Sequence, residues 1–292
     1  MRIALYSRHV QLEEIPFLEK FFRLLREKKI DWILYESFYD QLVTHFPSLK
    51  RSDVFSTSDQ LNPGVDYLFS LGGDGTLLDT VAFVKNYHIP IMGINIGRLG
   101  FLANIGRTEL EPALDALLSG SYVADKRTLI SVESNLPTFG ENNFALNEFT
   151  IAKKDNSSMI TIHTYINGEF LNSYWADGLI ISTPTGSTGY SLSCGGPIIL
   201  PNAGNFVITP IATHNLNVRP VVVPDNSVIS FEIDGRADSF FCTLDSRSVT
   251  IDKSYKLAVR KTDFSITLAR LNDNNFLNTL ATKLFWGKDV RN

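Results

Sequence analysis

The sequence predicts two structural parts: a doubly wound α/β domain and an all-β domain, with a last helix returning to the first. Three observations carry this reading. Short apolar runs alternate with stretches of helical periodicity from Ile3 to Ile94, the pattern of strands crossing over through helices. From Tyr122 onward the texture changes to strands at hairpin-like spacing. Finally, Phe276, Leu277, Leu280 and Leu284 resume helical spacing, for which a β domain has little use. The expected division is residues 1–100 with 271–292 as a Rossmann-like α/β domain, and 101–270 as the β-rich domain.

Ile3 to Tyr6 reads as a first buried strand. Phe17, Phe21, Leu24 and Leu25 recur at helical spacing and end in the basic turn at Lys28 and Lys29, which suits a helix C-terminus. Trp32 to Leu34 makes a second strand, residues 48–62 are polar and loop-like, and Pro63-Gly64 marks a turn. Tyr67 to Leu71 is a strand that stops at three glycines. The helix after them carries Leu77, Leu78, Val81, Ala82 and Val84 and ends near Asn86. Pro90 opens the next strand, Ile91 to Ile94. Thr108 and Glu111 have capping-box spacing at the head of a helix that ends at Gly120. Crossovers in such a sheet are right-handed.

In the second part, Phe144 to Ala152 reads as a strand. Residues 159–166 alternate, with Ile160, Ile162, Thr164 and Ile166 on one face, and Asn167-Gly168 supplies a type I′ turn into residues 169–175. Residues 206–211, 219–223, 228–233, 239–244, 255–261 and 264–270 are further strands, the pattern of a sandwich.

The chain has 292 residues, 44% hydrophobic and 20% charged, enough for a full core in one large or two ordinary domains. The net charge is −4 with no block of like charges, which argues against nucleic acid or an anionic membrane as partner. Bound phosphates would then be handled by local backbone and metal. Cys194 and Cys242 stand far apart without metal-ligand spacing, consistent with a reducing compartment. The first residues are too short an apolar run for a signal peptide, and no stretch reaches the ~20 apolar residues of a membrane helix. A soluble, cytoplasmic protein is expected.

The chemistry concentrates at Gly72-Gly73-Asp74-Gly75-Thr76. A strand, a tight turn and a helix start in succession form the place where open α/β sheets bind ligands. The glycines let a phosphate approach backbone N–H groups. Asp74 is the odd member, since an anion beside phosphates repels them unless it takes a proton from an attacking hydroxyl or shares a metal with them. A plain β-to-α turn with Asp74 as helix cap is the structural alternative. The loop Gly93–Phe101 is glycine-spaced but is neither G-x-G-x-x-G nor a Walker motif.

In the β part, a buried strand from Asp177 enters the hydroxyl-rich loop Thr183-Pro184-Thr185-Gly186-Ser187-Thr188-Gly189-Tyr190. Its short donors and one aromatic face suit a nucleoside, although a solvated turn has the same composition. Asn147-Glu148, side by side on a strand, can clamp the vicinal hydroxyls of a ribose or simply be an edge-strand polar pair.

Taken together, Gly72–Thr76, Asn147-Glu148 and Asp177-Gly178 leading into Pro184–Tyr190 resemble the NAD kinase family. Gly97–Phe101, Thr213-His214-Asn215-Leu216 with Arg219-Pro220, and Asp245-Ser246-Arg247 fit in the same order, so the resemblance spans nearly the whole chain. It implies Mg²⁺-dependent transfer of the ATP γ-phosphoryl group to the 2′-hydroxyl of the adenosine ribose of NAD, giving NADP. By the same resemblance Asp74 accepts that hydroxyl's proton, and Gly72, Gly73, Gly75 and Thr76 face phosphates. Asn147 and Glu148 hold ribose hydroxyls, Thr188, Gly189, Tyr190 and Ser193 surround the adenine, and Thr185 is counted among the nucleotide-binding residues. Phe101 packs on the base, Asp177 is lent to a neighbouring subunit, and Arg247 contributes charge. No protein metal ligand is assigned, and a homodimer or homotetramer is implied. Gly189 stands where many relatives carry Ala, and Trp175 where some carry a basic residue, which leaves NAD against NADH open. The rival readings are a lipid or sugar kinase sharing the Gly72 motif, or a sensor that binds the nucleotide without catalysis.

Overall fold

The computed structural model describes residues 1–61, 64–97, 100–154, 158–236, 238–272 and 275–286. Pro63, Arg98 and Leu99 of the expected turn and loop therefore lie outside the described residues, as do residues 287–292. The chain divides into two compact units, residues 1–126 with 266–292 and residues 127–265.

In the first unit, β1 (Arg2–Tyr6), α1 (Ile15–Glu27), β2 (Asp31–Tyr35), α2 (Glu36–Leu42), β3 (Val54–Phe55), β4 (Tyr67–Leu71), α3 (Asp74–Val84), β5 (Ile91–Ile94) and α4 (Leu110–Leu118) follow in order. All pairings of the sheet are parallel: β1 lies between β2 and β4, β3 flanks β2, and β5 flanks β4. The chain thus winds one way from β1 and then resumes on its other side at β4. That reversal is a topological switch point, where the carboxyl ends of two neighbouring strands splay and leave a crevice. Continuous burial of Ile3–Tyr6 and Leu68–Leu71 is what a parallel sheet covered on both faces requires. The core joins Phe21, Leu25, Phe69, Met92, Ile94 and Leu114.

Helix α4 belongs with this first unit, although the sequence reading placed it after the boundary at residue 100. Its cap also differs from the expected Thr108/Glu111 box. A single 3₁₀ turn (Arg107–Glu109) precedes it, and the Glu109 carboxylate accepts a hydrogen bond from the Gly106 N–H at 2.8 Å.

The second unit is built from β6 (Val123–Ser134), β7 (Phe144–Ala145), β8 (Glu148–Lys153), β9 (Ile160–Ile166), β10 (Glu169–Ala176), β11 (Gly178–Ser182), α5 (Tyr190–Ser193), β12 (Asn205–Ile211), β13 (Val221–Pro224), β14 (Ile229–Asp234), β15 (Phe240–Leu244), β16 (Arg247–Ile251) and β17 (Leu257–Arg270). One antiparallel sheet runs β13-β12-β11-β8-β15-β16. A second has β9 between β10 and β14, with the first residues of β17 beside β14. Their apolar faces meet in one core, with Ile160, Ile162, Tyr174 and Phe231 from one sheet and Phe149, Leu179, Phe206 and Phe240 from the other. The expected Asn167-Gly168 turn is present, with φ of 51° and 85°.

Two expected strands, 255–261 and 264–270, are one continuous β17, whose first residues belong to the second unit and whose end belongs to the first. There Leu268 pairs parallel with Ile91. Helix α6 (Phe276–Lys283) then lies in the first unit, as its spacing predicts, with the Phe276 ring 6.4 Å from that of Phe101. No helix among the described residues is long and apolar enough to cross a membrane.

Candidate active site

The predicted residues fall into two groups, each within its own unit. In the first unit, Gly73 caps α3 and Asp74 is its first residue. The Asp74 carboxylate is held from 27 or more residues away. Oδ2 accepts from the Phe101 N–H at 2.8 Å, and Oδ1 accepts from Leu102 and Ala103 N–H at 2.9 Å each. This is why glycine stands at 100: a Cβ there would lie 1.9 Å from Oδ1. A carboxylate has about four acceptor positions, so three N–H donors leave one, on Oδ2.

Arg8, just past the end of β1, was not singled out in the sequence, where a lone arginine carries no pattern. Its guanidinium is gripped by Asp79 on α3 through Nε and Nη2, and Asp79 also accepts from the Tyr6 hydroxyl at 3.0 Å. The remaining nitrogen, Nη1, lies 3.4 Å from where a Gly75 Cβ would be. The switch point therefore brings a cation, three glycines and a carboxylate together. Phe101, whose N–H binds Asp74, also carries the Lys283 ammonium over its ring at 5.9 Å.

In the second unit the expected strand Phe144–Ala152 is interrupted at Leu146-Asn147, and the cause is Asp245. From the two-residue β15–β16 turn, its carboxylate accepts the N–H groups of Leu146, Asn147 and Glu148 at 2.9, 2.8 and 3.2 Å. Those donors cannot also serve a ladder. Next to this break, Thr183 donates to the Leu146 carbonyl at 2.5 Å, and its N–H binds the Asn147 carbonyl at 2.9 Å. The hydroxyl-rich loop packs on the same segment, because a Cβ at Gly186 would lie 2.2 Å from the Asn147 oxygen.

Two buried atoms here have no hydrogen-bond partner, Asn147 Oδ1 and Glu148 Oε2. Buried polar groups are normally paired, so two such atoms side by side leave acceptor positions open for a partner from outside the chain. Both side chains face Gly189, whose missing Cβ would lie 3.4 Å from Glu148 Oε2 and 3.8 Å from Asn147 Nδ2. An alanine there would be tight but tolerable. Burial, then the neighbouring Asp245, raise the Glu148 pKa to about 8. Tyr190 follows with its ring 46% exposed, beside the exposed Ser193 and half-buried Thr188.

Other predicted residues take supporting places. The Thr185 hydroxyl accepts from the buried Arg127 guanidinium at 3.1 Å, so it serves the loop's own structure. Arg247 donates to the carbonyls of Asn142 and Phe144 and covers the Phe144 ring. Asp177 pairs with Lys153 at 2.7 Å. Trp175 packs against His214 with the rings tilted by 34° and their centroids 4.1 Å apart, beside a groove of about 810 Å³ lined by Leu171, Tyr174, His214 and Arg219.

A glycine turn at a switch point beside a fixed carboxylate, and a polar asparagine–glutamate pair on a β sandwich, are the parts of a phosphotransferase that acts on nucleotides. Residues 8–122 match the ATP-NAD kinase N-terminal domain and residues 146–271 the ATP-NAD kinase C-terminal domain. The whole chain is 51% identical to the NAD kinase of Cytophaga hutchinsonii and 45% identical to that of Flavobacterium psychrophilum, with 100% of each chain covered. The chain belongs to the NAD kinase family and is an enzyme that phosphorylates NAD. Among solved structures, yeast NADH kinase complexed with NADH is similar at a TM-score of 0.88 and 21% identity, covering 99% of this chain and 89% of that one. An NAD kinase from Archaeoglobus fulgidus in complex with ATP gives 0.76 and 22%, over 98% and 99%. Both share the fold.

Proposed function

We propose that the chain transfers the γ-phosphoryl group of ATP to the 2′-hydroxyl of the adenosine ribose of NAD, with Asp74 Oδ2 accepting the hydroxyl proton. The observation that carries this is the Asp74 clamp. Three backbone donors fix the carboxylate and leave one acceptor position beside the glycine turn. The bond formed is ribose oxygen to γ-phosphorus, and the bond broken joins that phosphorus to the bridging oxygen. Phosphoryl transfer of this kind depends mainly on alignment and charge neutralisation. Gly73 and Gly75 offer backbone N–H groups and Thr76 a hydroxyl at the head of α3, and Arg8 Nη1 adds a cation. Gly72 lets a phosphate approach, although its own N–H donates to the Ile94 carbonyl at 3.0 Å.

Among the described residues no group of three acidic, histidine or cysteine side chains converges on a metal position. Mg²⁺ would be held through the donor's phosphates and water, with no protein ligand assigned to it. Mg²⁺ would supply further neutralisation of the transferring charge.

Asn147 and Glu148 hold ribose hydroxyls through their unpartnered oxygens. Thr188, Gly189, Tyr190 and Ser193 enclose the adenine, with the Tyr190 ring as its stacking face and Phe101 against the base. Thr185 and Arg247 support these contacts through the backbone they hold. The NADH and ATP complexes of the yeast and Archaeoglobus proteins support one fold taking both kinds of ligand. We assign a homodimer or homotetramer, in keeping with the exposed Phe170 and Trp175 on the edge strand β10, and a cytoplasmic setting, in keeping with two free cysteines.

The test is NADP formation from NAD, ATP and Mg²⁺, with Asp74→Ala beside the wild type. Turnover in the variant should fall by ~10²-fold or more while NAD still binds. Near-normal turnover would remove Asp74 from the proton's path.

A further inference from the structure

We propose that Asp245 is a positioning residue for the nucleotide clamp: it sets the Leu146–Glu148 backbone and keeps a proton on Glu148, so that Glu148 meets the ligand as a hydrogen-bond donor. This rests on the reading above that Glu148 contacts a ribose hydroxyl.

The geometry comes first. Asp245 latches the segment in both directions. Its carboxylate accepts three N–H groups, and its own N–H donates to the Glu148 carbonyl at 3.1 Å. The latch holds at a left-handed backbone position, φ 52°, in the tight β15–β16 turn. The latch brings the Asp245 carboxylate next to Glu148, whose Oε2 is buried, and neighbouring carboxylates do not both ionise readily. The surroundings decide which one carries the proton. Burial raises the Asp245 pKa as well, but three N–H donors and the Arg247 guanidinium beside it act against that and favour its charged form. Glu148 has no such donors on Oε2, which is buried and unpartnered.

The ionisable groups facing Glu148 are Asp245, from the β15–β16 turn, and Tyr190, from α5. Neither is a cation, and Arg247, on β16, faces Asp245 instead. The rise of the Glu148 pKa to about 8 agrees with this assignment. A neutral carboxyl suits the ligand, because it can donate to one hydroxyl of a vicinal diol and accept from the other. It also spares a dinucleotide's phosphates a nearby anion.

Calorimetric binding of NAD between about pH 6 and 9.5 tests this, with wild type, Glu148→Gln, Glu148→Ala and Asp245→Asn. Wild-type affinity should be level at low pH and fall by about tenfold per pH unit above about 8. Glu148→Gln, whose amide keeps a donor, should lose that break, and Asp245→Asn should move it to lower pH. Infrared spectra of the wild type should show a protonated-carboxyl band that disappears over the same interval and is missing in Glu148→Gln. This readout holds even if Asp245→Asn does not fold. A level wild-type profile, a carboxyl band absent at pH 7, or affinity that rises with pH would overturn the proposal. Unchanged affinity in Glu148→Ala would instead show that Glu148 does not touch the ribose, and the reading beneath it would fail first.

Discussion

At the scale of single residues, the first unit turns on one carboxylate and the glycine pressed against it. The Asp74 oxygens occupy the space a Gly100 side chain would need. Gly100→Ala should therefore displace either the carboxylate or the 101–103 backbone. Displacements of about 1 Å at a reacting group cost up to ~10²-fold in rate. We expect turnover to fall ten- to a hundredfold (roughly, by that same yardstick) with a folded circular-dichroism spectrum. Unaltered kinetics would mean the clamp is irrelevant to catalysis. Arg8 makes a separate prediction. Removing one charge-assisted contact costs about 1.5–3 kcal/mol, so Arg8→Met should raise KM for ATP by roughly tenfold or more and leave KM for NAD alone. A matching rise for both substrates would point to general disruption through the orphaned Asp79. Asp74 and its glycines were legible because several unusual residues stand within five positions. Arg8 and Arg127 were not, since each is a lone charged residue whose partner lies far along the chain, and Asp245 showed only as part of the Asp245-Ser246-Arg247 motif, with no role attached.

At the scale of elements, the differences between expectation and structure have local causes. Helix α2 is seven residues long with only Phe38, Tyr39 and Leu42 buried, too short for helical periodicity to declare itself. In β17 the polar pair Thr262-Asp263 reads as a break between two strands. There the strand simply passes exposed residues outward, with the Thr262 hydroxyl bonded to the Phe264 carbonyl at 2.6 Å. The α4 cap is decided by register, because Glu109, three residues past Gly106, reaches the orphan N–H that Glu111 does not. Glu109→Ala should accordingly cost about 1 kcal/mol in denaturant unfolding. Thr108→Ala and Glu111→Ala should each stay within about 0.5 kcal/mol. Equal losses in all three would discard the Gly106–Glu109 cap.

At the scale of the whole molecule, stability should carry a pH dependence of its own. The folded chain holds the Glu148 proton up to about 8, against an ordinary value of 4.5. Between these values the native state binds more protons at this site than the unfolded chain. The associated stability is full below 4.5 and is lost as pH rises through about 8. The unfolding midpoint of wild type relative to Glu148→Gln should decline across that window and level off above it. A difference that stays constant with pH would show that Glu148 titrates normally. Relative to this, the net charge of −4 spread over two units is a small global field, and phosphate handling rests on local groups.

The sequence by itself determined the two-part fold class, the returning last helix, the glycine turn with Asp74, and the family that these motifs resemble. All of these are written in short-range patterns: periods of two and 3.6, turn residues, and motifs a few positions long. Tertiary structure alone decided which atoms meet. It set Arg8 beside Gly75 through the parallel pairing of β1 with β4. It aimed the 101–103 N–H groups at Asp74, and it placed Asp245 under Asn147-Glu148 through the pairing of β15 with β8. Strand order and register are non-local choices settled by burial of the whole core, and no window along the chain contains them.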